Sequence, residues 1–146
     1  MRLFRYIIFV LSSFLIFSCS VTVQHGVLDD ITVSEKEKSI LQNQAFEFTI
    51  DGKISQNYED AKIFIEVYDD KNHLIHFSIT DSVSGKKTEN ISCYKKNIEK
   101  RYFENVSNTF LIDFDSAGKY QVNIEVYAYR GDYQDSYKHF IDVLVQ

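Results

Sequence analysis

The residues able to do covalent or metal chemistry are few: two cysteines, Cys19 and Cys93, and four histidines, His25, His73, His76 and His139. A catalytic thiol needs a base to draw off its proton, and no local signature pairs Cys93 with a histidine. Free cysteine is among the most buried residue types, so Cys93 is expected to be a structural core residue and not a nucleophile. His73 and His76 stand three apart, a spacing that shares one face of a helix but opposes faces on a strand, and no zinc pair is expected from them. Asp69, Asp70, Asp113 and Asp115 could hold calcium only if they met at one end of the fold. Each also sits where a short carboxylate serves a turn or cap. The chain lacks HExxH, GxSxG, GxGxxG and Walker patterns, so the main hydrolase, zincin and nucleotide templates fail. A non-enzymatic protein with no cofactor and no metal site follows, with no catalytic residues.

Binding is better provided for. Between Tyr127 and Tyr137, four tyrosines (Tyr127, Tyr129, Tyr133 and Tyr137) flank Arg130-Gly131-Asp132. Gly-Asp is turn chemistry, which makes the stretch a hairpin. Tyrosine offers a flat apolar face with a polar tip, suited to sugars or peptides. Tyr127, Tyr129, Arg130, Asp132, Tyr133 and Tyr137 are therefore the candidate partner-binding set. The competing expectation is that cross-strand tyrosine pairs only brace a two-stranded extension.

Strands must carry this hairpin. In Asp115–Tyr129, Tyr120, Val122, Ile124 and Val126 alternate with Gln121, Asn123 and Glu125, giving one buried and one wet face. Asp115, Ser116 and Gly118 in front of it are turn formers. Upstream, Leu28–Ser34 reads as a short edge strand and Ser34–Gln44 as a charged connection. Ala45–Ile50 and Ala61–Asp69 read as strands, the latter alternating Ile63, Ile65 and Val67 with Lys62, Phe64, Glu66 and Tyr68. Asp69–Asn72 reads as a hairpin turn returning through His73–Thr80. A weaker strand spans Thr88–Lys96 with Ile91 and Cys93 on one face. Phe110–Phe114 follows, and His139–Val145 ends the chain, with Ile141, Val143 and Val145 opposite Phe140, Asp142 and Leu144. Seven or eight short strands with no sustained helical period predict an all-β antiparallel sandwich.

The order Asp115-x-x-Gly118-x-Tyr120 before an alternating strand resembles the E–F corner of immunoglobulin-like domains. The likeness extends to fibronectin-III-like and PKD-like sandwiches, and it implies that the Tyr120 hydroxyl bonds the backbone just upstream. Without tryptophan or a cysteine pair between sheets, an antibody-type domain is excluded. Arg130-Gly131-Asp132 also resembles the integrin-binding loop of fibronectin type III domains, although a turn accounts for the tripeptide.

The first residues are an address. Arg2 and Arg5 precede an apolar run from Tyr6 to Phe17 that is interrupted by Ser12 and Ser13, too short to span a bilayer and ending in Ser18-Cys19. Leu15-Ile16-Phe17-Ser18-Cys19 resembles a relaxed bacterial lipobox. The resemblance implies a signal peptide over 1–18, acylation of Cys19 with fatty chains such as palmitate, and a lipoprotein held in the membrane by those chains. With Cys19 acylated, no intramolecular disulfide is available to Cys93. Ser20, in place of the aspartate that retains such proteins in the inner membrane, implies the outer membrane, and the lack of acidic residues before Asp29 implies a domain facing the periplasm. Residues 19–27 then form a tether and 28–146 the sandwich domain.

Charge narrows the partners. The 146 residues carry −5, and loss of Arg2 and Arg5 leaves 14 basic against 21 acidic residues, a net −7. Nucleic acid, which demands a basic stripe, is excluded. Adsorption to anionic lipid is disfavoured too, leaving acyl chains as the membrane contact. The expected function is a lipid-anchored envelope domain that binds or scaffolds a protein or glycan partner. The alternative is an inhibitor or immunity-type lipoprotein that blocks a toxin or hydrolase.

Overall fold

The computed structural model describes Leu28 and residues 30–146; the expected signal peptide, Cys19 and the tether lie outside the described residues. The described residues form ten strands, the longer ones alternating apolar and polar side chains. They are β1 (Thr32–Glu35), β2 (Ser39–Ile40), β3 (Phe46–Gly52), β4 (Asp60–Asp69) and β5 (Phe77–Asp81), then β6 (Lys86–Ile91), β7 (Cys93–Ile98), β8 (Val106–Asp113), β9 (Gly118–Arg130) and β10 (Tyr133–Val145). A 3-10 turn, Lys100–Asn105, separates β7 from β8 and buries Phe103.

The strands form two five-stranded sheets, ordered β1-β3-β8-β5-β6 and β2-β10-β9-β4-β7. Pairing is antiparallel except between β2 and β10. β1 lies beside β3 in the first sheet, and between them the chain crosses to the other sheet, where β2 pairs in parallel with the last strand, β10. With β9 between β4 and β10, this is an immunoglobulin-like β-sandwich. The inward rows of both sheets merge into one core that includes Phe46, Phe48, Ile63, Ile65, Ile79, Phe110, Ile112, Val122 and Ile124.

Several local expectations change in three dimensions. Asp69–Asn72 does turn, with Asn72 N–H donating to Asp69 O at 3.0 Å and Asn72 at φ 62°. It does not make a hairpin of β4 and β5. Only Tyr68 and Leu74 bridge; β5 then crosses to the first sheet and pairs with β8. The stretch expected as one strand around Ile91 and Cys93 is two, because Asn90 adopts φ 53° and the chain leaves the first sheet after β6 and joins the second as β7. The charged connection holds the two-residue β2, β8 begins at Val106, and β10 begins at Tyr133.

Gly118 lies within β9 and is not among the residues of positive φ. A Cβ added there would lie in ordinary contact with the Tyr120 ring, 3.4 Å from its hydroxyl, so neither backbone strain nor a clash demands glycine at this position. Tyr120 stacks on Phe114 at 4.5 Å, and its hydroxyl donates to Ser116 O at 2.9 Å. Asp115 is exposed at the turn.

The sheets are also joined by charge. Asp81 of β5 is 3% exposed, and its Oδ2 lies 2.7 Å from Lys96 Nζ of β7. Asp81 Oδ1 accepts from Val83 N–H at 3.0 Å. Burial raises the Asp81 carboxyl, but the ammonium beside it and the Ser84 donors outweigh burial and hold it below its ordinary value.

Candidate functional site

The outward face of the second sheet departs from the usual wet face of a strand. Its rows are Lys62, Phe64, Glu66 and Tyr68 on β4, Asn123, Glu125, Tyr127 and Tyr129 on β9, and Gln134, Ser136, Lys138 and Phe140 on β10. Register sets Phe64 beside Glu125, Tyr127 between Lys62 and Ser136, and Asn123 beside Phe140.

Aromatic rings occupy the centre of this face. Phe64 meets Tyr127 edge-on, with centroids 5.3 Å apart at 84°, while the Tyr127 and Tyr129 rings stack nearly parallel at 6.1 Å and 16°. Lys62 Nζ stands 4.9 Å above the Tyr129 ring and 2.9 Å from Asp60, and Lys95 Nζ stands 5.5 Å above Phe64. These ammonium groups over ring faces add cation–π attraction. Phe140 is 57% exposed beside them.

A depression of about 460 Å³ lies among these side chains, lined by Phe64, Asn123, Glu125, Tyr127, Tyr129 and Phe140 among others. A second, of about 670 Å³, continues on the same face past Gln121 to Tyr68 and Leu144. In the first, Glu125 pairs with Lys138 at 3.1 Å. Asn123 Oδ1 is buried with no hydrogen-bond partner among the described residues. The Glu125 carboxylate, aided by burial, pushes the Tyr127 hydroxyl up to about 12. Flat rings beside carboxylate, amide and hydroxyl groups equip the face for recognition.

The candidate set from the sequence is split by the turn. Gly131 at φ 56° makes a two-residue hairpin in which Arg130 pairs with Tyr133. Tyr127 and Tyr129 therefore face outward, whereas Tyr137 pairs with Val126 and packs against the core. Tyr133 is 50% exposed at the tip, 6.3 Å from Tyr58 and under the Arg130 guanidinium at 5.9 Å. Asp132 is exposed in the turn itself. The six residues thus do not form one patch. Phe64 and Phe140 join the groove and had not been singled out, although both are large aromatics at wet positions of alternating strands.

Cys93 is exposed, contrary to the core position expected of it, because β7 turns it outward beside Glu66. Partial burial and the Glu66 carboxylate push its thiol up, which disfavours the nucleophilic thiolate. Asp69 accepts from Lys71 and His73 N–H groups, and Asp113 pairs with Lys87 at 3.1 Å. Among the described residues no group of three or more His, Cys, Asp or Glu side chains is placed to hold a metal ion.

No family model matches the chain, and no curated protein does. Solved structures share its general architecture at low similarity. A DUF4466 family protein from Parabacteroides merdae superposes with TM-score 0.45 and 11% identity over 76% of this chain; the match spans 44% of that protein, less than half its length. The CooA pilin subunit of enterotoxigenic Escherichia coli gives 0.35 and 10%, covering 80% of this chain and 97% of the pilin. A PapD-like domain of human CEP192 gives 0.38 and 11%, covering 80% and 87%. At these scores the likenesses carry no functional argument, and the fold assignment stands on the strand order itself.

Proposed function

We propose that the protein is a non-enzymatic, lipid-anchored envelope domain whose outward β4-β9-β10 face binds a protein or glycan partner. Acyl chains on Cys19 hold it at the outer membrane, facing the periplasm. The observation that carries the binding role is the row Phe64, Tyr127, Tyr129 and Phe140 around one groove, on a face where alternation alone calls for polar side chains. Large aromatics gathered on an exposed face mark a binding surface, since desolvating them on contact is favourable. The signal-like sequence before Cys19 supports the anchoring.

Replacing Tyr127 and Tyr129 with serine tests the binding face, as both lie outside the core. Capture of envelope proteins and of immobilised glycans by the double variant should weaken by more than about 2 kcal/mol, with the melting temperature nearly unchanged. Unchanged capture with a lowered melt would show that the rings are only cross-strand braces.

A further inference from the structure

Edges of β-sheets expose unpaired N–H and C=O groups, and proteins blunt them by shortness, bulges or charge. Here β1 has four residues and β2 two. β6 slips register against β5 and carries Lys86, Lys87 and Glu89, and β7 carries Lys95 and Lys96. β10 is different. It pairs with β9 without a break from Tyr133 to Val145, while β2 covers only Leu144 and Val145 on its other side. The chain has no proline to interrupt it.

The parity of the open edge follows from one bond. Leu144 N–H donates to Lys38 O at 2.8 Å, away from β9, so the even-numbered residues of β10 direct their backbone groups to the open side. Gln134, Ser136, Lys138, Phe140 and Asp142 therefore offer a row of backbone donors and acceptors with no backbone partner among the described residues. Among the described residues only the Ser136 N–H is engaged, by the Asp135 carboxylate at 2.9 Å.

We propose that this edge pairs antiparallel with the same edge of a second copy, with the two-fold axis at Lys138. The open stretch, Tyr133–Val143, is centred on that residue. A copy placed about Lys138 uses the full opening and ends where β2 begins. It also sets each outward-directed residue opposite another: Gln134 faces the second copy's Asp142, Ser136 its Phe140, and Lys138 its Lys138. Such matching is what an antiparallel ladder requires. The Gln134 amide meets a carboxylate on the outward side. On the inward side Tyr137 meets His139, two ring types that already stack within one chain at 6.4 Å and 5°. The adverse contact is lysine against lysine, and Glu125 at 3.1 Å from each ammonium offsets it. Moving the axis towards Phe140 instead drives each hairpin tip into the lane occupied by the other copy's β2. The dimer joins two five-stranded sheets edge to edge and brings both grooves onto one face.

Cysteine scanning in the full chain, in membranes and in a Cys93→Ser background, tests this independently of partner binding. Under mild oxidation Lys138→Cys should form covalent dimer at least about ten-fold above Lys62→Cys and above the Cys93→Ser parent, since a hydrogen-bonded antiparallel pair holds its Cα atoms about 5.5 Å apart, within disulfide reach. Ser136→Cys and Phe140→Cys should cross-link only with each other. Adding Lys138→Glu should reduce that mixed cross-link at least about ten-fold, because it sets two carboxylates opposite one another beside Glu125. Equal yields from Lys138→Cys and Lys62→Cys, self-linking of Ser136→Cys, or cross-linking of β10 to a different polypeptide would overturn the proposal.

Discussion

Lys96→Met is the sharpest test of how the two sheets are held together. It keeps the length of the side chain but removes the ammonium 2.7 Å from Asp81, which is 3% exposed. Breaking one side of a buried ion pair costs about 3–5 kcal/mol, because the remaining charge is stranded in a poor solvent. The Lys96 side chain keeps 21% exposure, and two backbone N–H groups still serve the carboxylate, which places the expected loss near the lower end, about 3 kcal/mol. For a domain of this size that lowers the melting temperature by roughly 10 °C. The pH dependence has a definite sign. In the native protein the Asp81 carboxyl lies below its ordinary value, so its contribution is present above the unfolded value and is lost as pH falls through the folded one. In Lys96→Met burial acts without the ammonium and raises the carboxyl; the penalty is then greatest at neutral pH and shrinks on acidification as Asp81 protonates. Thermal melts followed by circular dichroism from neutral pH down through the carboxylate range measure both effects. Asp81→Asn in addition to Lys96→Met should recover most of the loss at pH 7, since no buried charge remains. A loss under about 0.5 kcal/mol, or one that does not change with pH, would refute the reasoning.

Two further outcomes concern the corner and the anchor. Tyr120→Phe removes the bond to Ser116 O but keeps the Phe114 stack, so denaturant melts should show a loss of about 1 kcal/mol, and more than Tyr133→Phe at the hairpin tip, whose hydroxyl has no hydrogen bond among the described residues. If Cys19 is acylated, mass spectrometry of the mature N-terminus should find a lipidated cysteine there, and Cys19→Ala should leave the precursor uncleaved or mislocalised; an unmodified N-terminus elsewhere rejects the anchor.

The sequence by itself determined the local code. Period-two alternation is enough to place Ile63, Ile65 and Val67 on one face of a strand and Val122, Ile124 and Val126 on one face of another, and all six are buried. The turn at Asp69–Asn72 and the hairpin at Gly131-Asp132 were legible from residue types that tolerate or favour those dihedrals. Tertiary structure decided which strands became neighbours. Nothing local tells β5 to leave β4 for the other sheet, because its Phe77 and Ile79 would fill either inner face equally well. Ile91 and Cys93 share a parity, yet the break between β6 and β7 sends them to different sheets and leaves Cys93 at the surface. The tyrosines divide for a related reason. Since Arg130 pairs with Tyr133, odd-numbered residues of β9 share a face with even-numbered residues of β10, so Tyr127 and Tyr137 point to opposite sides although both are odd. In a sheet one residue of register exchanges the two faces, and only the long-range pairing sets that register.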